Sequence, residues 1–163
     1  MKNSAVKWLW LSLFIIILDQ IVKQVALQYL QLHQPLAVIP GLNMTLLYNK
    51  GAAFSFLNQA GGWQRWFFIV LAFGVSSYIV FWLTRLPSTH RWFACALALI
   101  MGGAIGNVCD RIVHGYVIDF VDVYYRDWHW PAFNVADSAI SVGAIMIIIE
   151  VIFFPDRQEI PDK

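Results

Sequence analysis

Four stretches of the chain are almost continuously apolar, and segments of mixed polarity separate them. They cover about residues 8–29, 66–84, 92–110 and 136–154. Each is close to the roughly 20 residues that a helix needs to cross about 30 Å of hydrocarbon. The pattern predicts an all-α membrane protein, with four transmembrane helices in one domain over residues 1–163. Two longer loops, at about 30–65 and 111–135, lie between the spans.

The first of these loops has a pattern of its own. LNMTL at 42–46 alternates apolar and polar residues, as a half-buried strand does. NKGAAFSF follows, and its residues 49–51 favour a turn because they combine asparagine with glycine. We therefore expect a small β-rich subdomain on the membrane surface.

Composition supports a membrane protein and excludes some functions. The 163 residues are 60% hydrophobic and 13% charged, against about 45–50% and 25% in soluble domains. The net charge of +1 and the lack of a basic run argue against nucleic-acid binding. Cys95 and Cys109 lie in one apolar stretch, about 21 Å apart if it is helical, which is too far for a disulfide. Nothing in the cysteine or histidine spacing calls for a metal or cofactor.

The N-terminus admits two interpretations. Lys2 and Lys7 precede an apolar run, as in a signal peptide, but no small-residue cleavage site follows that run. A retained first helix is therefore favoured over a cleaved signal.

Orientation follows from the basic residues that flank the spans. Lys2, Lys7, Arg85, Arg91, Arg157 and Lys163 fall on one side, and Lys50, Arg65 and Arg126 on the other, with Arg111 at a helix end. The positive-inside rule then places both termini in the cytoplasm. The two long loops, and with them the β-rich subdomain, face outward.

Five of the ten acidic residues lie near the predicted outer helix ends: Asp19, Asp110, Asp119, Asp122 and Asp137. Asp19 has a simple structural explanation, because Lys23 is one helical turn away and can neutralise it. Asp110 adjoins Arg111, which could pair with a carboxylate, in a segment whose small residues favour close helix packing. Asn107 in that segment must find hydrogen-bond partners if it is buried.

Asp119 and Asp137 differ from the others, because each stands among apolar neighbours without a basic residue at helical spacing. Two desolvated carboxylates placed close together cannot both ionise, so they share a proton. Such a pair can activate water and polarise a carbonyl, as in aspartyl proteases. Two alternatives stay open from the residues alone: Asp137 could simply cap the fourth helix, and Asp122 could replace Asp119 as the partner.

Other function classes find less support. The sequence contains no HExxH, no GxSxG and no serine beside a helical lysine. If the protein is a hydrolase, carboxylates are therefore its candidate catalytic groups. A small proton-coupled transporter or dimeric exporter would use carboxylates near the bilayer midplane, whereas here they gather at one edge. A structural scaffold would give no reason for two isolated aspartates.

Five segments together resemble bacterial lipoprotein signal peptidases (signal peptidase II). They occur in the family's order and span the chain from the first helix to the fourth: DQIVK at 19–23, YNKGAAFSF at 48–56, GGAIGNVCDR at 102–111, VIDFVD at 117–122 and FNVADSAI at 133–140. The resemblance implies a four-helix aspartyl peptidase of the bacterial inner membrane, active near the periplasmic face. It implies cleavage of diacylglyceryl-modified prolipoproteins just before the lipidated cysteine, without a cofactor.

The same resemblance assigns residues and partners. Asp119 and Asp137 match the catalytic positions, and supporting positions match Asp19, Lys23, Asn49, Gly51, Asn107, Arg111 and Asn134. Phe54, with Phe56, is a candidate lid from composition alone. Prolipoproteins, membrane lipid and globomycin-type cyclic peptides are the implied partners, and a complete pair in one chain favours a monomer.

Overall fold

Four helices are long and apolar enough to cross a membrane within the residues that the computed structural model describes, 4–51 and 61–154. They are α1 (Leu9–Tyr29, preceded by a 3-10 turn at Ala5–Trp8), α2 (Trp63–Arg85), α3 (Arg91–Val113) and α4 (Val135–Phe153). The predicted four spans are confirmed. α2 begins at residue 63 instead of 66, and α3 ends at residue 113 instead of 110.

α3 is the central helix of the bundle. Half of its most apolar window is buried, against 22% for each of the other three helices, and it packs against α1, α2 and α4. Small side chains make this possible, since they let neighbouring backbones approach closely. Six such residues are buried along α3: Ala94, Ala96, Ala98, Gly102, Gly103 and Gly106.

Gly103 marks the tightest contact between α3 and α4. A Cβ atom there would collide with the carbonyl oxygen of Ala136 and lie 2.7 Å from Cγ1 of Ile140. We expect Gly103→Ala to destabilise the bundle by about 1–3 kcal/mol, because overpacking forces the backbone apart. Thermal unfolding in detergent should show a melting temperature roughly 2–10 °C lower.

Gly74→Ala is the matched control for that substitution. Gly74 lies in α2, and a Cβ atom there would meet nothing within 4 Å. Alanine should therefore be neutral or slightly stabilising at this position. Equal melting temperatures for the two variants would contradict the close packing at Gly103.

An antiparallel sheet of four strands covers one end of the bundle in the described part of the chain. Its strands are β1 (Pro35–Ile39), β2 (Leu42–Asn49), β3 (Val117–Tyr125) and β4 (Trp128–His129), in the order β1-β2-β3-β4. The strand predicted at 42–46 is confirmed within β2. No strand was predicted in the second long loop, yet it supplies β3 and β4. The strand at 117–122 was not predicted because β3 is buried on both faces near its start, so its residues do not alternate between apolar and polar.

β3 connects the two halves of the chain at this end of the bundle. It pairs with β2, where Leu47 lies opposite Asp119 and Asn49 opposite Val117. The segment before α4 then returns alongside β3, since Phe133 and Val121 form a backbone bridge. Asp119 is therefore on a strand rather than at a helix end, and the start of α4 lies beside it.

Candidate active site

Asn134 links the carboxylates of Asp119 and Asp137, which we call the aspartate pair. Its side-chain nitrogen donates to Oδ1 of Asp119 at 2.7 Å, and its backbone N–H donates to Oδ2 of Asp137 at 3.3 Å. Asn134 is fully buried, so its side chain is held in one position. One residue between β3 and α4 therefore holds both carboxylates at one place.

The start of α4 explains how Asp137 is oriented. Asn134 is the N-cap residue, and its Oδ1 accepts from the backbone N–H of Asp137 at 2.9 Å. Asp137 bonds back to the N-cap backbone, which completes a capping box. The capping interpretation of Asp137 is therefore correct, but it uses only Oδ2. Oδ1 accepts from the side chain of Asn107 at 2.8 Å.

Asp119 lies in an unfavourable place for a negative charge. The residue is only 2% exposed. Burial, and next the charge of Asp137, raise its pKa to about 7, although hydrogen bonds from Asn49 and Asn134 oppose the shift. The Asn49 side chain donates to Oδ2 at 3.1 Å. A carboxyl group with this pKa is partly protonated at neutral pH, as a proton-sharing pair requires.

The raised pKa of Asp119 predicts a pH-dependent stability. The unfolded carboxyl titrates near 3.9, so folding favours the protonated form between about pH 4 and pH 7. The stabilisation is complete below about pH 4 and is lost as the pH rises through about 7. Asp119→Asn should remove this dependence, worth about 4 kcal/mol across the whole titration.

Melting temperatures at pH 4, 5.5 and 7 would test this, for the wild-type protein, Asp119→Asn and the control Asp127→Asn at an exposed position. As the pH rises, the melting temperature of the wild-type protein should fall relative to that of Asp119→Asn. The melting temperature of the control should follow that of the wild type. Parallel curves for all three proteins would refute the raised pKa.

A buried group that we call the lysine cluster lies behind the aspartate pair. Lys23 is 0% exposed, and its Nζ lies 2.8 Å from a carboxylate oxygen of Asp19 and 2.8 Å from one of Asp110. Gln20 completes the cluster by donating to Asp110 at 2.8 Å. The predicted Asp19–Lys23 pair is confirmed. Asp110 and Gln20 were not singled out for this role, because their partners lie 90 residues apart in the sequence.

The lysine cluster connects to the aspartate pair through Asn107. Lys23 Nζ donates to Oδ1 of Asn107 at 3.0 Å, which leaves the Asn107 amide nitrogen to bond Asp137. Asp19 also acts on α4, since its Oδ1 accepts from the backbone N–H of Ala136 at 2.9 Å. Two charged residues of α1 thus orient other elements: Lys23 orients the Asn107 amide in α3, and Asp19 holds the first turn of α4.

Arg111 supports the site differently from the prediction. The sequence left open that Arg111 pairs with a carboxylate, yet among the described residues it has no ion pair within 4.0 Å. Its guanidinium instead donates to the carbonyl oxygen of Gly51 at 2.9 Å and stacks 4.9 Å from the Phe68 ring. The Gly51 N–H in turn donates to Asn49 at 3.0 Å. The predicted turn at 49–51 is thereby fixed to α3.

Two other candidates are resolved differently. Asp122 bonds His129, Thr45 and Asn43. Asp119 instead shares Asn134 with Asp137, so the contact geometry favours Asp119 as the partner. Phe54, with Phe56, lies outside the described residues, and its role as a lid stays a prediction.

Two cavities flank the segment 130–132. The helix cavity, of about 560 Å³, includes Asp137, Ser138, Ile140 and Val142 in its lining. The sheet cavity, of about 490 Å³, includes Asp119, Asp122 and His129. Each member of the aspartate pair therefore faces a space large enough for part of a ligand. The described residues contain no group of three or more His, Cys, Asp or Glu side chains that could hold a metal.

Comparisons with known proteins match one family of membrane peptidases. A family model described as signal peptidase (SPase) II matches residues 11–153. The lipoprotein signal peptidase of Acinetobacter baumannii is 54% identical over 151 residues, which cover 93% of this chain and 85% of the relative. That of Alteromonas mediterranea is 48% identical over 157 residues, which cover 96% of this chain and 86% of the relative.

A solved structure is similar over the whole length. It is a bacterial membrane enzyme determined by the in meso method at 2.3 Å resolution, with a TM-score of 0.83 and 27% sequence identity. The alignment covers 100% of this chain and 99% of the other. These matches support the peptidase interpretation, and none of the relatives named here is a transporter.

Proposed function

This chain belongs to the signal peptidase II family of membrane peptidases, and from that premise we propose that Asp119 and Asp137 are its catalytic residues. This proposal rests on the observation that Asn134 bonds both carboxylates at once. A capping role alone would orient Asp137 without bringing a second carboxylate to it.

The chemistry follows from one proton shared between two carboxyl groups. The ionised carboxylate takes a proton from a water molecule, and the protonated carboxyl donates a hydrogen bond to the carbonyl oxygen of the scissile bond. The resulting hydroxide attacks the carbonyl carbon, and the C–N bond breaks when the leaving amine receives a proton. The pair titrates as a unit, so the roles belong to the pair rather than to a fixed member.

The supporting residues hold the two carboxylates of the aspartate pair in position. Asn107 and Asn134 bond the carboxylates directly, and Asn49 bonds Asp119. Asp19 and Lys23 act through Asn107 and Ala136, and Arg111 acts through Gly51. Asp19, Lys23 and Arg111 can therefore be required for activity without touching the substrate.

The substrate we propose is a diacylglyceryl-modified prolipoprotein, cut just before the lipidated cysteine. The relatives' name, lipoprotein signal peptidase, supports prolipoproteins as the substrate class. An apolar cavity beside Asp137 and a more polar one beside Asp119 suit a substrate with a membrane-spanning signal segment and a water-exposed mature chain.

Membrane placement is part of the same proposal. The flanking lysines and arginines support cytoplasmic termini in the bacterial inner membrane. The sheet and the aspartate pair then lie at the periplasmic face, where water can reach them. The site is complete within one chain, which supports a monomer, and globomycin-type peptides are the expected inhibitors.

A direct assay tests the function. Purified protein in detergent or lipid vesicles is incubated with a diacylglyceryl-modified prolipoprotein and with its unmodified precursor. Release of the signal peptide from the modified form, with the cut before the cysteine, is expected. Persistence of the intact modified precursor would refute the proposal.

A further inference from the structure

Asp122 and His129 form a hydrogen-bonded side-chain pair that the proposed catalysis does not use. His129 Nδ1 lies 2.7 Å from Oδ1 of Asp122. The other oxygen of Asp122 accepts from Thr45 at 3.1 Å and from Asn43 at 3.4 Å. A single buried carboxylate in β3 thus receives bonds from β2 and β4 and holds the imidazole in place.

The His129 ring is fixed but remains accessible. Its side chain is 51% exposed, and the ring stacks on Tyr124 with centroids 5.4 Å apart. Burial raises the pKa of Asp122, but hydrogen bonds from His129, Asn43 and Thr45 outweigh it and hold that pKa below the ordinary value. The carboxylate is therefore ionised, so Nδ1 carries a hydrogen. Nε2 makes no hydrogen bond to any residue in the described ranges.

The pair lies in the same cavity as Asp119. Both Asp122 and His129 line the sheet cavity, with His33 and Tyr48 also on its wall. Asp122 follows Asp119 by three residues of β3, and a strand rises about 3.3 Å per residue. The Asp122 position therefore lies about 10 Å along the strand from that of Asp119, and both residues line the same cavity.

The direction of a bound substrate follows from polarity, if the proposed function holds. The signal segment spans the membrane and suits the helix cavity, while the mature chain enters water and suits the sheet cavity. An extended chain covers about 3.3–3.6 Å per residue. Counting the cysteine as the first residue after the cut, about 10 Å reaches the second and third residues.

We propose that Asp122 and His129 form a subsite for the second and third residues after the scissile bond. The subsite favours polar, hydrogen-bonding side chains over apolar ones. Nε2 of His129 supplies the hydrogen bond, and Asp122 positions the ring. An apolar side chain would desolvate the imidazole without giving it a partner. This selectivity rests on the proposed function and adds a preference that the aspartate pair cannot provide.

Two diacylglyceryl-modified prolipoprotein peptides test the subsite. They differ only at the second and third residues after the cut, serine–asparagine in one and leucine–leucine in the other. Wild-type protein should show a roughly 3- to 10-fold higher kcat/KM for the polar peptide, the value of about one hydrogen bond. His129→Ala should bring that ratio close to one, and Asp122→Asn should lower it.

His90→Ala is the matched control, because His90 precedes α3 outside the sheet cavity. It should keep the wild-type ratio. A ratio near one in the wild-type protein, or equal slowing of both peptides by His129→Ala, would overturn the subsite. Failure of the wild-type protein to cleave either peptide would instead overturn the proposed function, and the subsite with it.

Discussion

Asp119→Asn and Asp137→Asn should each lower processing of a diacylglyceryl-modified prolipoprotein by roughly 10⁴-fold, which is below detection in an end-point assay. Asparagine has nearly the size of aspartate, but it can neither take a proton from water nor share one with the opposite carboxyl group. Because the two carboxylates act as one unit, the double variant should be no worse than either single variant. The measurement is signal-peptide release by purified protein.

Stability measurements separate lost chemistry from lost folding. The raised pKa of Asp119 means that its charge opposes folding near neutral pH. Asp119→Asn should therefore melt no lower than the wild-type protein at pH 7. Asp122→Asn removes a neighbouring carboxylate in β3 and should be far milder than Asp119→Asn, because it alters only the proposed subsite. An Asp122→Asn loss as large as that of Asp119→Asn would reopen the choice of partner, and full activity in either pair variant would remove that residue from the pair.

Lys23→Met should be the most destabilising of the substitutions considered. Lys23 is 0% exposed between Asp19 and Asp110, which are 0% and 1% exposed. Methionine fills a similar volume but leaves both carboxylates buried without their cation. Breaking a buried ion pair by removing one partner costs about 3–5 kcal/mol. We expect a melting temperature roughly 6–20 °C lower and loss of processing, because Asn107 also loses the bond that orients its amide.

Two further variants isolate the cause. Lys7→Met makes the same change at an exposed position in the turn before α1 and should leave melting unchanged. Asp110→Asn combined with Lys23→Met removes one of the two stranded charges and should recover part of the lost stability. If the double variant melts no higher than Lys23→Met alone, stranded charge is not the reason for the loss.

The comparison of α4 with β3 shows where sequence reasoning reaches its limit. α4 was predictable because a long apolar run has one stable form in lipid, a helix that satisfies its own backbone. Its first turn was predicted only in part: Asp137 was expected as a possible cap, whereas Asn134 is the N-cap residue and Asp137 completes the capping box. β3 was not, because its register depends on β2, which lies about 70 residues earlier in the chain and is separated from it by two helices.

Arg111 and Asp110 illustrate the same limit at the level of single contacts. They are adjacent in the sequence, which indicated only that Arg111 could pair with some carboxylate. Successive residues on a helix point in different directions, so Asp110 turns towards Lys23 in α1 and Arg111 towards Gly51. The partners of both residues depend on how three segments pack, which no spacing along the chain records.

The sequence by itself determined the four spans, the isolation of Asp119 and Asp137 from basic residues, and the resemblance to a peptidase family. These features are local: hydrophobic length, residue type and short motifs. Only the tertiary structure decided that Asn134 joins the two carboxylates, that Lys23 orients Asn107, and that Asp122 belongs with His129. Those contacts join segments far apart in the chain, and their geometry exists only once the helices pack and the strands pair.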